Sequence, residues 1–225
     1  MRPIERKSMV SYPYGVPRPR RATAAVRDEP PRARLDVDER RKQLVALGLD
    51  LFGERSYDEV SIDELATAAG ISKGLLYHYF PTKKDFYVAT VREAAAQLVA
   101  LTSQDTTGDP LERLRAGLDA YLDYVTAHQK PYVTLMRSGV GVDADVARIV
   151  DDTRAALCSR LLEGTPVDAQ DPIVRLALRG WIGFVEAATL DWLDAKKRVS
   201  RVRLRELLAV ALLKMLEGVA AERSA

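Results

Sequence analysis

The chain has 225 residues, of which 47% are hydrophobic and 29% charged, with 34 basic and 32 acidic side chains. This composition supports one or two globular domains and excludes a wholly disordered or disulfide-built chain. With one cysteine, Cys158, and two histidines, His78 and His128, the chain lacks the ligands for an intramolecular disulfide or the usual closed zinc site. We therefore expect no metal and no cofactor.

Residues 1–34 differ in composition from the rest of the chain. They contain six of the eleven prolines and nine basic against three acidic side chains, a net charge of +6, whereas residues 35–225 carry −4. They show no apolar period and no continuous apolar stretch typical of a secretory signal. We predict a disordered basic arm over 1–34, which would be shorter if translation begins at Met9. We expect a cytoplasmic protein without a membrane partner.

From residue 35 onward apolar residues recur at helical spacing, which predicts an all-α body. The first helix is predicted over about 38–55, where one face carries Leu44, Leu47, Leu51 and Phe52. The next segment opens with Ser61 followed three residues later by Glu64, the pattern of a capping box. It predicts a second helix over 62–69.

Gly70 predicts the end of this second helix, and Ser72 predicts the N-cap of a third helix over 73–79. Two short helices joined by a tight turn are typical of a helix-turn-helix unit, although an αα-corner inside an enzyme can look similar. Residues 65–84 contain three lysines and no acid, which favours contact with DNA phosphates.

The stretch 69–86, AGISKGLLYHYFPTKKDF, closely resembles the signature of the TetR family of bacterial transcriptional regulators. The resemblance covers about residues 38–90, and Leu75 departs from it because the family often has a small polar residue there. It implies an N-terminal three-helix helix-turn-helix DNA-binding domain, placed at 35–87, and a C-terminal helical ligand-binding and dimerisation domain at 88–225.

The resemblance and the side-chain chemistry assign residues to double-stranded DNA. Lys73, on the first turn of the recognition helix, is expected at a base edge, and Tyr77 and Lys83 at phosphates. Lys84 is expected on a solvated face. The complete predicted DNA-binding set is Ser61, Ser72, Lys73, Gly74, Leu75, Tyr77, His78, Tyr79 and Lys83.

The remaining residues are sufficient for several helices, predicted near 83–104, 110–128, 131–138, 143–163, 171–194 and 200–221. The last two helices carry apolar residues around more of their circumference than a single chain can bury. We therefore expect a homodimer formed through the two C-terminal helices. Two-fold symmetry would then place two recognition helices on a near-palindromic operator.

The resemblance also implies a pocket for a small-molecule effector, with Glu186 as its polar anchor. The candidate lining residues are Tyr121, Tyr124, His128, Tyr132, Met136, Trp181, Phe184 and Glu186. Aromatic and methionine side chains at helical spacing are also typical of an ordinary core.

We interpret the chain as a dimeric one-component transcriptional regulator, a repressor released from its operator by an effector. An activator or a ligand-independent DNA-organising protein is an alternative within the DNA-binding class. A small helical enzyme is a remote alternative, because no catalytic residues are visible: the sequence shows neither a carboxylate pair with a histidine nor a serine and histidine at a suitable spacing.

Overall fold

A computed structural model describes residues 37–103, 109–139, 143–163, 165, 167–195 and 198–223. The predicted arm, residues 1–34, lies outside these ranges. Across them every regular element is a helix, as the sequence predicted. None of the helices in the described ranges is long and apolar enough to cross a membrane.

The described residues of the N-terminal part form four helices, and side-chain N-caps start the last three of them. They are α1 (Val37–Glu54), α2 (Ile62–Ala68), α3 (Lys73–Tyr79) and α4 (Lys83–Leu101). The predicted capping box at α2 is confirmed: the Glu64 backbone N–H donates to Ser61 Oγ at 3.2 Å, and the Ser61 N–H donates to the Glu64 carboxylate at 2.8 Å. A second capping box, which we did not predict, joins Thr82 and Asp85 at the start of α4.

The turn between α2 and α3 depends on Gly70. Its φ of 63° lies in the left-handed region, which a residue with a Cβ adopts only at a cost. Ser72 then caps α3 by accepting from the Leu75 N–H at 3.1 Å. The predicted end of one helix and start of the next are therefore confirmed.

A small core fixes the angle between these helices. It is formed by fully buried side chains from α2, α3 and α4, among them Leu65, Leu76, Phe80 and Phe86. Gly48 allows α1 to approach α4 closely, because a Cβ at this position would overlap Thr90 Oγ1 and lie 2.9 Å from Phe86 Cζ.

The described residues of the C-terminal part form five α-helices. They are α5 (Pro110–Ala127), α6 (Gln129–Thr134) with a π-helical turn after it (Leu135–Gly139), α7 (Ala144–Leu162), α8 (Pro172–Asp194) and α9 (Arg201–Arg223). The prediction of one helix over 131–138 was wrong in its start and its form. The helix begins two residues earlier because Pro131 is tolerated within a first turn, where a backbone N–H has no intrahelical partner.

The C-terminal core lies between α5, α8 and α9. Leu122, Leu178 and Leu208 are fully buried, and the indole N–H of Trp181 donates to the Leu208 carbonyl at 2.9 Å. This bond satisfies the polar atom of a buried tryptophan. It also fixes α8 against α9.

Helix α4 belongs to both parts of the molecule. Phe86, near its start, packs into the core of the N-terminal helices, and Val91 packs with Ile149 of α7. Leu98, near its end, packs against the C-terminal core. One continuous helix of 19 residues thus links the helix-turn-helix to the region that surrounds the cavity described below.

Candidate DNA-binding surface and sensor cavity

Helix α3 presents one face to the core and the other to solvent. Leu76 is buried, whereas Lys73, Gly74 and His78 are exposed and Tyr77 retains 41% of its accessible surface. Leu75 also remains 40% exposed. A short helix anchored by one leucine thus leaves these five residues exposed on the side that faces away from the core.

Ser61 and Ser72 are both exposed N-caps. The oxygen of each accepts a backbone N–H, so the capping role that we expected of both is present. The hydroxyl hydrogens are not needed for these bonds and can be donated to a phosphate oxygen.

The side chain of Lys73 is held by an acid on α2. Its Nζ lies 3.0 Å from Asp63 Oδ1, and this hydrogen-bonded carboxylate raises the pKa of Lys73. Lys73 can contact a base or a phosphate only after its bond to Asp63 is broken. The sequence did not predict the pair, because Asp63 and Lys73 lie on different helices.

Two further predicted DNA residues have partners within the domain. Lys83 Nζ lies 4.1 Å from the centre of the Tyr57 ring, a cation–π distance. Tyr79 is half-buried against the N-terminal core, with the His78 ring edge-on at a centroid distance of 5.6 Å. Tyr79 therefore offers less free surface to DNA than Tyr77.

Lys84 is exposed, as the sequence predicted, and it is also ion-paired. Its Nζ lies 3.0 Å from a carboxylate oxygen of Asp143 and of Asp145, at the start of α7. These two bonds raise the pKa of Lys84 to about 12, and Lys84 in turn lowers the pKa of Asp143. The sequence did not predict these partners, because the acids lie about sixty positions away in the chain.

A cavity of about 430 Å³ lies between α1, α4 and the C-terminal helices. Seven of the eight predicted effector residues line it: Tyr121, Tyr124, His128, Tyr132, Met136, Trp181 and Glu186. Phe184 does not line it. Its side chain remains 38% exposed on α8, because the inward face of that helix is occupied by Trp181, Ile182 and Val185.

Two tyrosine hydroxyls meet in the cavity wall. Tyr121 and Tyr132 lie 2.6 Å apart at their hydroxyl oxygens. Burial raises the pKa of Tyr121 to about 12 and that of Tyr132 further, so both are neutral phenols at physiological pH. As phenols they can offer a hydrogen bond but no charge.

Glu186 is not a free anchor. Both of its oxygens accept from Arg154 on α7, at 2.8 Å and 2.7 Å. This bidentate pair raises the pKa of Arg154 and satisfies the carboxylate. The sequence indicated the acid but not its partner, because the two helices are brought together only by the tertiary fold.

The sequence missed the contribution of α1 and α4 to the cavity. Leu49, Phe52 and Gly53 of α1 line it, and so does a stripe along α4 that includes Tyr87, Val91, Ala94 and Leu98. The spacing of that stripe is visible in the sequence, but it is indistinguishable from an ordinary helix core.

Metal binding and cysteine chemistry have little support among the described residues. No group of His, Cys, Asp or Glu side chains there is arranged to hold a metal ion. Burial raises the pKa of the Cys158 thiol, which disfavours the reactive thiolate.

An exposed recognition helix, a capped turn and a cavity whose wall includes the DNA-binding helices define a helix-turn-helix transcriptional regulator. Residues 44–90 match the bacterial regulatory proteins of the tetR family, and residues 110–215 match the Tetracyclin repressor-like C-terminal domain. The chain belongs to the TetR family. The resemblance seen in the sequence is thereby confirmed.

Two curated relatives illustrate this family membership. The transcriptional activator FasR of Mycolicibacterium smegmatis is 34% identical over 116 residues, 51% of this chain and 53% of FasR. The repressor KstR of Mycobacterium tuberculosis is 25% identical over 210 residues, 85% of this chain and 94% of KstR. The match to FasR thus spans about half of that protein, and the relatives include both an activator and a repressor.

Solved structures share the fold over most of the chain. A TetR-family regulator from Streptomyces coelicolor is 36% identical with a TM-score of 0.76, covering 84% of this chain and 85% of that one. FadR from Bacillus subtilis, solved in complex with stearoyl-CoA, is 16% identical with a TM-score of 0.61, covering 76% of this chain and 96% of that one. The likeness to FadR concerns the fold alone.

Proposed function

We propose that this protein is a homodimeric repressor that binds a near-palindromic operator and is released by a small molecule in the cavity. One observation carries the proposal: the cavity is walled by α1 and α4 of the DNA-binding part together with α5 to α9. A ligand in this space touches both parts at once. It can therefore favour one arrangement of the recognition helix over another.

Dimerisation is supported by the surface of the last two helices. Leu176 of α8 retains 70% of its accessible surface, and Leu207 of α9 retains 55%. The α8 surface also contains exposed Gly180 and Gly183, where an added Cβ would meet no atom of the described residues within 4 Å. Exposed apolar side chains beside small residues suit close packing of helices from a second copy.

For the DNA complex we propose roles that follow the geometry of α3. Lys73 and His78 face a base edge, and Tyr77 donates its hydroxyl to a phosphate. Ser61, Ser72 and Lys83 contact the phosphate backbone, and Gly74 allows close approach. Leu75 offers an apolar contact such as a thymine methyl group accepts.

Release requires a difference in affinity. A ligand shifts the protein away from DNA only if it binds the non-DNA-binding arrangement more tightly. The shared wall supplies such a difference, because a movement of α4 changes the volume between Val91 and Leu98 on one side and α5 on the other. Ligand binding and DNA binding would then oppose one another reciprocally.

A mobility shift on the DNA upstream of the protein's own gene tests this function. We expect retardation by the wild type and loss of it with Lys73→Ala and with Tyr77→Phe. Lys130→Ala, which removes an exposed lysine of α6 outside the cavity lining, is the matched control and should bind normally. Unchanged retardation by both α3 variants would refute the assignment of the recognition helix.

An activator is a second candidate, because FasR is an activator. A reporter placed behind the bound DNA separates the two. Deletion of the regulator's gene raises expression if the protein represses and lowers it if the protein activates.

A further inference from the structure

The cavity is long and narrow. Its residues on α4 and at the C-cap of that helix run from Tyr87 to Thr102, a span of about 22 Å at the rise of an α-helix. A rounded cavity of about 430 Å³ would be much shorter. The shape thus suits an extended ligand that lies along α4.

Most of the wall is apolar. Leu, Val, Ala and aromatic side chains contribute most of its surface. The polar groups near its middle are already paired with one another: Tyr121 with Tyr132, and Arg154 with Glu186. An unbranched hydrocarbon chain leaves these pairs intact, whereas a ligand rich in polar groups leaves many of its own unsatisfied.

The two ends of the cavity differ in their charge. At the α1 end, the cationic Arg55 is bonded to Glu64 at 2.8 Å and also to the Glu59 carbonyl. His128, near the same end, has its Nδ1 2.9 Å from the Tyr124 carbonyl. Arg55, the cationic group at this end, therefore already has an anionic partner in Glu64.

At the opposite end, α5 begins and α7 ends. Arg113 and Arg160 line the cavity here. Among the described lining residues at this end, Glu163 is the single acid. Arg113 donates through Nη2 to the Glu163 carbonyl at 2.8 Å, which positions the guanidinium across the two helices. Its Nε is buried and makes no hydrogen bond to any described residue. Arg160 has no ion-pair partner in the same ranges.

We propose that the ligand of this cavity is a long-chain acyl amphiphile with an anionic head. The head binds Arg113 and Arg160, and the chain extends along α4 until its end contacts Phe52 and Gly53 of α1. Chain length is thereby sensed by the DNA-binding part itself. This inference rests on the proposed function only for its regulatory consequence, since binding can be measured without DNA.

The anionic head has two chemical sources, a free carboxylate and the phosphates of a coenzyme A thioester. Calorimetric titration of the purified full chain with palmitate, palmitoyl-CoA, octanoate and hexadecanol distinguishes them. We expect one or both of the palmitoyl anions to bind at least about tenfold more tightly than octanoate, and more tightly than the uncharged alcohol. The anion that binds more tightly identifies the head.

Variants test each end of the cavity. Arg113→Gln and Arg160→Ala should weaken binding of the preferred anion by about tenfold each and leave hexadecanol within about twofold. Gly53→Leu should weaken palmitoyl ligands more than shorter acyl ligands. Arg148→Ala, an exposed arginine of α7 outside the cavity lining, is the matched control. Circular dichroism confirms that each variant is folded.

The outcomes are distinct. Equal affinity for long and short chains, or for the anion and the alcohol, refutes the proposed ligand. Loss of affinity in Arg148→Ala equal to that in Arg160→Ala refutes the assigned head site. Tight palmitoyl binding without any effect on the mobility shift supports the ligand and refutes effector-released repression, so the two proposals fail separately.

Discussion

Lys73 of the recognition helix is bonded to Asp63 of the preceding helix, with Nζ 3.0 Å from Oδ1. The cation that we assign to DNA is thus neutralised by a carboxylate on the same surface. Asp63→Asn should therefore raise DNA affinity, whereas Lys73→Ala should lower it by about 1–3 kcal/mol, the range for a base-edge contact. Fluorescence anisotropy at one fixed salt concentration measures both.

The control for this prediction is Asp152→Asn, which removes an exposed acid of α7 far along the chain from the helix-turn-helix. It should leave the DNA affinity unchanged. A DNA affinity equal to that of the wild type in both Asp63→Asn and Lys73→Ala would show that Lys73 does not contribute to the DNA contacts.

Gly48 and Gly53 lie on the same helix and should respond oppositely to alanine. The new methyl group at Gly48 would overlap Thr90 and Phe86 of α4, whereas at Gly53 it would meet no atom within 4 Å. Gly48→Ala should reduce the free energy of unfolding by about 1–3 kcal/mol, and Gly53→Ala should leave it unchanged or raise it by about 0.5–1 kcal/mol. Urea denaturation at one fixed protein concentration compares them, and a similar loss in both would contradict the close approach of α1 to α4.

The bonds from Lys84 to Asp143 and Asp145 join the start of α4 to the start of α7. Lys84→Gln should speed hydrogen exchange at the first amides of α7. Lys214→Gln, which removes an ion pair within the single helix α9, should have no such effect. Protection of the α7 amides that is identical in both variants would count against the link.

This link also has a defined pH dependence. The pKa of Asp143 is lowered by Lys84, so its stabilising contribution is complete above the ordinary aspartate pKa of about 3.9 and is lost as the pH falls through the lowered value. Between neutral and mildly acidic pH Asp143 therefore stays ionised. Its titration should not reduce the exchange protection of the α7 amides in the wild type over that range.

Tyr121 and Tyr132 satisfy each other in the cavity wall. Tyr121→Phe and Tyr132→Phe should each reduce the free energy of unfolding by about 1–3 kcal/mol, because each leaves a buried hydroxyl without that partner. The double variant should lose less than the sum of the two. A double-mutant cycle by denaturation measures this coupling, and strict additivity would show that the hydroxyls do not interact.

The exposed apolar faces of α8 and α9 predict the oligomeric state. We expect the wild type to sediment as a dimer at micromolar concentration and Leu207→Glu to sediment as a monomer, because a carboxylate would be buried unpaired in the interface. Ala116→Glu, at an exposed position of α5, is the control and should remain dimeric. A monomeric wild type would overturn the proposed dimer.

The sequence predicted those features that depend on residues close together in the chain. Ser61, Gly70 and Ser72 fixed the ends of two helices because capping and left-handed turns are local effects. The Thr82 and Asp85 box carries the same signal and was readable in the same way. Helix bounds for α5 and α8 were predicted to within one residue.

Pairs between distant helices could not be predicted. Arg154 and Glu186 are 32 positions apart and meet only because α7 packs on α8. No local pattern distinguishes Glu186 with a partner from Glu186 without one. The same reason explains Phe184: helical spacing places it near Trp181, but only the packed neighbours decide which of the two faces the cavity.

Helix α4 has a practical consequence for protein engineering. Hybrid regulators are built by joining the DNA reader of one protein to the sensor of another, on the assumption that the two specificities separate at a junction. Here Phe52 and Gly53 of α1 and six residues of α4 line the cavity. If that cavity holds the effector, as we propose, a foreign DNA reader would replace part of its wall, so operator choice and ligand choice would have to be exchanged together.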